Sequence, residues 1–197
     1  QQFSTPHDYA YAINWIANVK PSDVVLEPSA GTGNIAAFAM TASARVSANE
    51  LSPRRAALLR TLNPTQVFEE DAEQLDNILP PDIKPTVVVM NPPFSQTGGR
   101  VATRDIMVAS RHIQAALDRL EPDGRLVAIV GRGMSPESPA HRPWFDRLKK
   151  AHTLSANIGV SGDVYAKFGT NFATRVLVID KIGPHNGDTR TGDVDTI

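Results

Sequence analysis

Apolar and polar positions follow two patterns that alternate along the chain. Short runs that are apolar at nearly every position, such as VVVM at 87–90, predict strands buried on both faces of a sheet. Between these runs, apolar residues recur every three or four positions, which predicts amphipathic helices. The expected strands are 24–27, 45–50, 65–68, 87–90, 125–130, 153–160 and 174–180, and the expected helices follow Thr5-Pro6 and cover about 34–43, 53–62, 72–79, 101–120 and 144–151.

The regular alternation of strand and helix predicts an α/β fold with a doubly wound, seven-stranded, mostly parallel sheet. The last two strands are joined without a helix, so we expect an antiparallel hairpin at one edge of the sheet. The longest helix, 101–120, is expected to carry Ile106 on its apolar face. We expect one domain at 1–181, followed by a C-terminal linker or tail at 182–197.

The composition excludes several kinds of site. The chain of 197 residues is 41% hydrophobic, enough for one core, and it has no cysteine, which excludes disulfides, thiol nucleophiles and cysteine zinc sites. Its five histidines are scattered without the spacing of metal ligands, so we expect no metal. The sequence shows no membrane-spanning run and no signal peptide, so we expect a cytoplasmic protein with no membrane partner. The first residue is not methionine, which indicates a piece of a longer parent chain with further domains.

Charge is unevenly distributed along the chain. The formal net charge is −1, which argues against a general polyanion binder. Residues 1–97 contain 6 basic and 10 acidic side chains, whereas residues 98–152 contain 10 basic and 6 acidic ones. Two interpretations stay open: a chance distribution on a solvated surface, or a division between a cofactor-binding half and a half that faces phosphates.

A glycine-rich loop, EPSAGTG, follows the first predicted strand. Ligands of doubly wound sheets bind at the carboxyl ends of the strands, where Gly31 and Gly33 allow a tight turn and close approach of the backbone. Glu50 ends the second strand and can accept hydrogen bonds from ribose hydroxyls. Read loosely, Gly31-x-Gly33-x-x-Ala36 also fits a dinucleotide fingerprint, and the glycines could serve only the packing of the next helix.

The stretch Glu27-Pro28-Ser29-Ala30-Gly31-Thr32-Gly33 resembles the cofactor loop of class I S-adenosylmethionine-dependent methyltransferases. The resemblance implies that S-adenosyl-L-methionine is the cofactor, that Glu50 binds its ribose and that Asp71-Ala72 contacts its adenine. Asp71 could instead, or in addition, cap the helix that follows it. The segment FSTP at 3–6 resembles the motif that packs near the methionine moiety in this family, which would place Thr5 in the site; the alternative is that Thr5 caps the first helix.

Asn91-Pro92-Pro93-Phe94 follows the fourth strand, where a simple exit turn would more often use Gly, Asp or Ser. The tetrapeptide resembles the (Asn/Asp)-Pro-Pro-aromatic motif of methyltransferases that act on planar nitrogens. Such a nitrogen is a poor nucleophile because its lone pair is delocalised. The resemblance implies that the Asn91 side-chain oxygen and the Pro92 carbonyl accept its hydrogens, that the prolines hold these acceptors rigid, and that Phe94 stacks on an extruded base. Asn91 is also expected to contact the cofactor. The alternative is a rigid exit from the strand.

The segment VYAKFGTNFATRVLVID resembles the loop between the last two strands of the same family, where an aromatic stacks on the other face of the base. Phe168 is the candidate for that role, ahead of Tyr165 and Phe172, and a core-anchoring aromatic is the alternative. The order FSTP, glycine loop, NPPF and FGTN resembles the gamma arrangement of N6-adenine DNA methyltransferases. DNA is therefore the expected partner, and the expected backbone contacts are Arg100, Arg104, Arg132 and Arg142.

The gamma arrangement places a target-recognition domain after the last strand, and we expect that domain to be absent because the chain stops 16 residues past Lys181. More distantly, the chain resembles the methyltransferase module that precedes a helicase in strawberry-notch-like proteins. Three other substrates of the family stay open: a release-factor glutamine, guanine N2 in RNA and cytosine N4. Two other classes also stay open, namely an inactive methyltransferase fold that serves DNA binding or assembly, and a dehydrogenase.

Overall fold

The chain forms one eight-stranded sheet with helices on both faces, described by a computed structural model for residues 4–42, 45–94, 96–97, 104–162 and 172–197. Strands β5 and β6 form a separate two-stranded sheet. The strands are β1 (Val24–Glu27), β2 (Arg45–Asn49), β3 (Gln66–Phe68), β4 (Val87–Met90), β5 (Gln96–Thr97), β6 (Arg104–Asp105), β7 (Arg125–Gly131), β8 (Thr153–Val160), β9 (Thr174–Asp180) and β10 (Arg190–Val194). The helices are α1 (His7–Ala17), α2 (Asn34–Thr41), α3 (Pro53–Arg60), α4 (Leu75–Ile78), α5 (Val108–Arg119) and α6 (Arg142–Ala151), with a 3-10 turn at Ala72–Gln74.

The strand order of the main sheet is β10-β8-β9-β7-β4-β1-β2-β3. Strands β1, β2, β3, β4 and β7 are parallel, and β9 lies antiparallel between β7 and β8. The chain therefore progresses outward in one direction from β1 and in the other from β4, and a ligand crevice is expected at this switch point. Because β1 and β4 are neighbours, the glycine loop and the NPPF motif leave the same edge of the sheet side by side.

Two apolar clusters fill the space on either side of the sheet. Successive residues of β1 face opposite clusters, with Val25 in the cluster that α1, α2 and α3 cover and Leu26 in the cluster that α4, α5 and α6 cover. This is the burial on both faces that the all-apolar strands predict, and the predicted α/β doubly wound class is confirmed.

No helix within the described residues is long and apolar enough to cross a membrane.

The start of the longest helix differs from the sequence expectation. Residues 104–105 form β6, paired antiparallel with β5, and α5 begins only at Val108. The Asp105 side chain accepts a hydrogen bond from the Met107 amide at 2.9 Å, which satisfies a backbone group just before the first turn. Ile106 consequently lies outside the helix and is 44% exposed, so its assignment to the apolar face was wrong.

The sheet has an eighth strand that the sequence did not indicate. Five residues of the stretch expected to be a linker or tail form β10, which pairs parallel with β8, so the β8–β9 hairpin is not at the outer edge. All residues of β10 are exposed and it has no apolar alternation, so hydrophobic patterning could not reveal it. Gly159 of β8 leaves the space in which the Asp193 side chain of β10 lies.

Candidate functional site

Gly31 and Gly33 have left-handed backbone conformations, with φ of 58° and 92°. A Cβ atom on Gly33 would lie 2.6 Å from Leu59 Cδ1 and 2.5 Å from Leu62 Cδ1, so these side chains would have to shift, and packing as well as backbone conformation favours glycine at that position. A Cβ atom on Gly31 would meet nothing within 4 Å. The packing explanation therefore accounts for Gly33 and leaves Gly31 beside open space, where only its backbone conformation favours glycine.

Glu50 lies directly under the glycine loop and is 4% exposed. Its Oε2 accepts a hydrogen bond from the Gly31 amide at 2.9 Å, and its Oε1 accepts from the Ser52 amide at 2.8 Å and from Arg55 Nη2 at 2.6 Å. The carboxylate thus ties the loop after β1 to the start of α3. Because Oε2 accepts one of these bonds and a carboxylate oxygen has two lone pairs, it can accept another from a ribose hydroxyl.

Asn49 is a residue that the sequence interpretation missed. It is 1% exposed, and its Nδ2 donates to the carbonyls of Pro28 and Glu70, both at 2.9 Å. Its Oδ1 accepts from the Glu70 amide at 2.9 Å, so both ends of the side-chain amide are bound. Asn49 therefore holds the glycine loop against the segment after β3 that carries Asp71. The available signal was an asparagine directly before Glu50, at the end of the predicted second strand.

Asp71 caps the 3-10 turn, as one of the two sequence interpretations predicts. Its Oδ1 accepts from the Glu73 amide at 3.0 Å, and its side chain is exposed. Ala72 is 6% exposed and packs into the apolar cluster under α5. Capping leaves Oδ2 to meet a ligand, so contact with the cofactor adenine stays a prediction.

Thr5 joins the NPPF motif to the glycine loop. Asn91 Nδ2 donates to Thr5 Oγ1 at 3.0 Å, and the Thr5 carbonyl accepts from Asn34 Nδ2, in the first turn of α2, at 2.7 Å. The alternative role of Thr5 as a helix cap was wrong, because Pro6 holds the N-cap position of α1 and makes no side-chain cap. Because the side-chain nitrogen of Asn91 donates to Thr5, the Oδ1 atom of Asn91 is the acceptor at the carboxyl end of β4.

Phe94 is half-buried beside the end of β7. A Cβ atom on Gly131 would lie 3.5 Å from Phe94 Cβ and Cγ, so the aromatic packs over the strand at a residue with no side chain. Arg132 follows Gly131 directly and is exposed. Pro92 is buried and Pro93 is half-buried, so the prolines anchor the loop.

The other predicted nucleic-acid contacts are only partly described. Arg142 begins α6, and its guanidinium donates to the carbonyls of Pro136 and Glu137, each at 3.4 Å. Arg104 lies in β6. Arg100 and Phe168, with its rival Tyr165, lie outside the described residues. Phe172, the other rival, is 50% exposed just before β9.

His112 of α5 is a second residue that sequence reasoning missed. It is 6% exposed, and its Nδ1 lies 3.3 Å from Ser29 Oγ in the glycine loop. Burial lowers the pKa of His112, opposed by the nearby Glu73 and Asp71 carboxylates. A histidine on the apolar face of an amphipathic helix was the only signal in the sequence. Its contact with Ser29 adds α5 to the elements that hold the loop.

Glu27, the last residue of β1, is 1% exposed, and its Oε2 has no hydrogen-bond partner among the described residues. Burial raises its pKa well above the usual 4.5; the Ala36 amide opposes this shift and Glu50 adds to it. If folding raises the pKa of a carboxyl, the folded state binds more protons than the unfolded state at any pH between the two pKa values. Glu27 should therefore contribute a loss of stability to the ligand-free protein as pH rises above about 4.5.

Glu27→Gln removes this titration while keeping the shape of the side chain. We expect the free energy of unfolding of the variant, relative to the parent chain, to increase as pH is raised from about 4.5 to 8. Urea unfolding without cofactor at both pH values measures this difference. An equal pH dependence in the two proteins would show that folding does not raise the pKa of Glu27.

Comparison with known proteins identifies the fold. No protein-family model matches the sequence, and no curated protein matches it. Among solved structures, the chain is similar to a modification subunit of a putative type I restriction enzyme from Vibrio vulnificus, with 17% identity, a TM-score of 0.78, and coverage of 94% of this chain and 46% of the other. A putative class I S-adenosylmethionine-dependent methyltransferase from Listeria monocytogenes has 14% identity, a TM-score of 0.72, and coverage of 94% and 62%. A putative RNA methyltransferase from Pyrococcus horikoshii has 17% identity, a TM-score of 0.68, and coverage of 92% and 87%.

The chain spans less than half of the length of the Vibrio modification subunit. The TM-scores establish the architecture, and at these sequence identities the likeness extends to the fold alone. The chain has the Rossmann-like fold of class I S-adenosylmethionine-dependent methyltransferases.

Proposed function

We propose that the chain transfers a methyl group from S-adenosylmethionine to the exocyclic N6 of adenine in DNA. The observation that carries the proposal is the contact between Asn91 and Thr5, which fixes the NPPF motif beside the glycine loop and orients Asn91 Oδ1 as an acceptor. A nucleotide cofactor fits the residues present, because Gly31 opens onto free space and Glu50 lies beneath it with acceptor capacity left.

The reaction requires an amine whose lone pair is available. When bound, the cofactor supplies an electrophilic methyl carbon, to which the nitrogen bonds as the carbon–sulfur bond breaks and its electron pair returns to sulfur. Asn91 Oδ1 and the Pro92 carbonyl accept the two hydrogens of the amine and favour a pyramidal nitrogen. Neither group takes a proton at neutral pH, so their contribution is electrostatic and positional, and the proton leaves the product to solvent.

Adenine in DNA is favoured over other planar nitrogens by the segment order and by one structural likeness. The Vibrio protein, a modification subunit of a restriction enzyme, covers 94% of this chain. Arg132 is exposed and directly follows Gly131, which packs against Phe94, so it is a candidate to contact the phosphate backbone beside an extruded base. We assign backbone contacts to Arg132, Arg142, Arg104 and Arg100, and base stacking to Phe94 and Phe168. The likeness to a putative RNA methyltransferase makes RNA the main alternative substrate.

The identity of the substrate can be tested with isotope transfer. The chain is incubated with S-adenosylmethionine carrying a trideuterated methyl group and with unmethylated DNA or RNA, and the nucleosides are analysed by mass spectrometry. We expect labelled N6-methyldeoxyadenosine. Label in RNA guanine or in cytosine would replace the adenine assignment and keep the methyltransferase, and no label despite cofactor binding would indicate an inactive module.

Phe94→Leu and Phe94→Ala test the stacking role. Leucine keeps an apolar contact over Gly131 but has no ring face, so both variants should lose about 1–3 kcal/mol of base binding. The readout is the fluorescence rise of 2-aminopurine at the target position of an oligonucleotide. Tyr11→Ala is the control, because Tyr11 is an exposed aromatic that packs on Phe38 of α2. A normal rise in Phe94→Leu would assign Phe94 to packing alone.

A further inference from the structure

The guanidinium of Arg111, in the first turn of α5, joins two segments that belong to different parts of the candidate site. Nε and Nη2 donate to the two carboxylate oxygens of Glu73 at 2.8 and 3.0 Å. Nη2 also donates to Asp105 Oδ2 at 2.7 Å. Glu73 lies in the 3-10 turn after β3, and Asp105 lies in β6, so Arg111 connects the cofactor side of the site to the segment that follows NPPF.

At the Glu73 end, the connection continues to the residue expected to contact adenine. The Glu73 amide donates to Asp71 Oδ1, so the position of the turn determines where Asp71 points. Both oxygens of the Glu73 carboxylate are bound by Arg111, and His112 Nε2 lies 3.9 Å from Oε1. A two-point contact of this kind fixes orientation as well as distance.

At the Asp105 end, the connection continues toward the NPPF motif. Asp105 Oδ1 accepts from the Met107 amide, and its backbone pairs with Gln96, which lies two residues after Phe94. The hydrogen bond from Arg111, with that from the Met107 amide, lowers the pKa of Asp105. The contacts therefore form a continuous path from Asp71 to the strand that follows Phe94.

Stability does not account for this arrangement. The Arg111 and Asp105 side chains are 42% and 44% exposed, and exposed ion pairs contribute little to the free energy of unfolding. A planar guanidinium that holds two carboxylates from separate segments instead constrains their relative position.

We propose that Arg111 is a positioning residue that couples cofactor binding to the target-base side of the site, through its contacts with Glu73 and Asp105. The inference rests on the proposed function, because it assigns the cofactor adenine to Asp71. When the cofactor adenine binds Asp71, it restrains the 3-10 turn that contains Glu73. Glu73 then restrains Arg111, and Arg111 restrains the β6 segment through Asp105. Coupling of this kind acts reciprocally, so target binding strengthens cofactor binding by the same factor.

Hydrogen exchange of the whole chain with and without S-adenosylhomocysteine tests the coupling. In the parent protein, the ligand should slow exchange at 104–107, which includes the Met107 amide, by about 5-fold or more, the lower end of typical site-to-site coupling. In Arg111→Gln the ligand should still protect the glycine loop, while the slowing at 104–107 disappears. Glu73→Gln and Asp105→Asn break one arm each and should give the same result.

Two controls separate coupling from general stabilisation. The buried strand β9, which lies between β7 and β8, reports any global slowing of exchange, because amides of a core strand exchange through global unfolding. Arg60→Gln breaks another exposed pair, Arg60 with Glu69 at 2.6 Å, and should leave the effect at 104–107 intact. Ligand binding without extra protection at 104–107, or protection that persists in Arg111→Gln, overturns the role of Arg111 and leaves the proposed function standing. Failure of the parent chain to bind the ligand overturns both.

Discussion

Asn91→Ala should lower the turnover of methyl transfer by about 10²–10³-fold, a loss comparable to that of one oxyanion-hole donor. The Asn91 amide oxygen contributes most when the amine becomes pyramidal, so its removal raises the barrier to transfer more than it weakens ground-state binding. The affinity for S-adenosylhomocysteine should change far less than turnover. Single-turnover rates and calorimetric titration of the same protein measure the two quantities.

Thr5→Val is the matched variant for this experiment. It removes the hydroxyl that receives Asn91 Nδ2 while keeping the size of the side chain, so Oδ1 is present but no longer held in place. The loss of turnover should be intermediate between the parent chain and Asn91→Ala. If Asn91→Ala transfers methyl groups at the normal rate, the NPPF motif is only a rigid exit from β4. If cofactor affinity falls as steeply as turnover, Asn91 belongs to the cofactor site.

The parts of the fold that the sequence predicts are those with a local signal. Strands buried on both faces are apolar at nearly every position, so VVLE and VVVM are visible as runs of letters. The loops that matter follow these strands directly, and the parallel order brings Gly31 and Asn91 to the same edge. Hydrophobic patterning therefore sufficed for the class of fold and for the edge of the sheet at which the two loops lie.

The parts that the sequence did not predict depend on pairs of residues that are distant along the chain. Thr5 accepts a hydrogen bond from Asn91, which lies 86 positions further along the chain, and the pattern around Thr5-Pro6 fits a helix cap equally well. The periodicity of 101–120 favoured a single helix because Ile106 continues the apolar spacing, whereas β6 forms through pairing with β5. Asn49 and Arg111 were missed for the same reason, since each acts through partners on other segments.

Glu50→Ala should weaken the binding of S-adenosylhomocysteine and also destabilise the ligand-free fold, because the same carboxylate is expected to bind the ribose and accepts hydrogen bonds within the fold. Its removal deprives Gly31, Ser52 and Arg55 of their acceptor. Hydrogen bonds to charged groups contribute about 1.5–3 kcal/mol, so the loss of ribose contacts should cost roughly 1–3 kcal/mol of binding. We expect a loss of similar size in the free energy of unfolding, because a buried acceptor of three donors is removed.

Glu69→Ala is the matched control for Glu50→Ala. Glu69 forms an ion pair with Arg60 at 2.6 Å, the same distance as that between Glu50 and Arg55, but its side chain is 33% exposed against 5% for Glu50. Its loss should cost at most about 1 kcal/mol of stability and leave ligand affinity unchanged. Urea unfolding and calorimetric titration of both variants give the comparison. A folded Glu50→Ala protein that binds S-adenosylhomocysteine with the affinity of the parent chain would restrict Glu50 to holding the glycine loop, and the ribose would have to be bound by other residues.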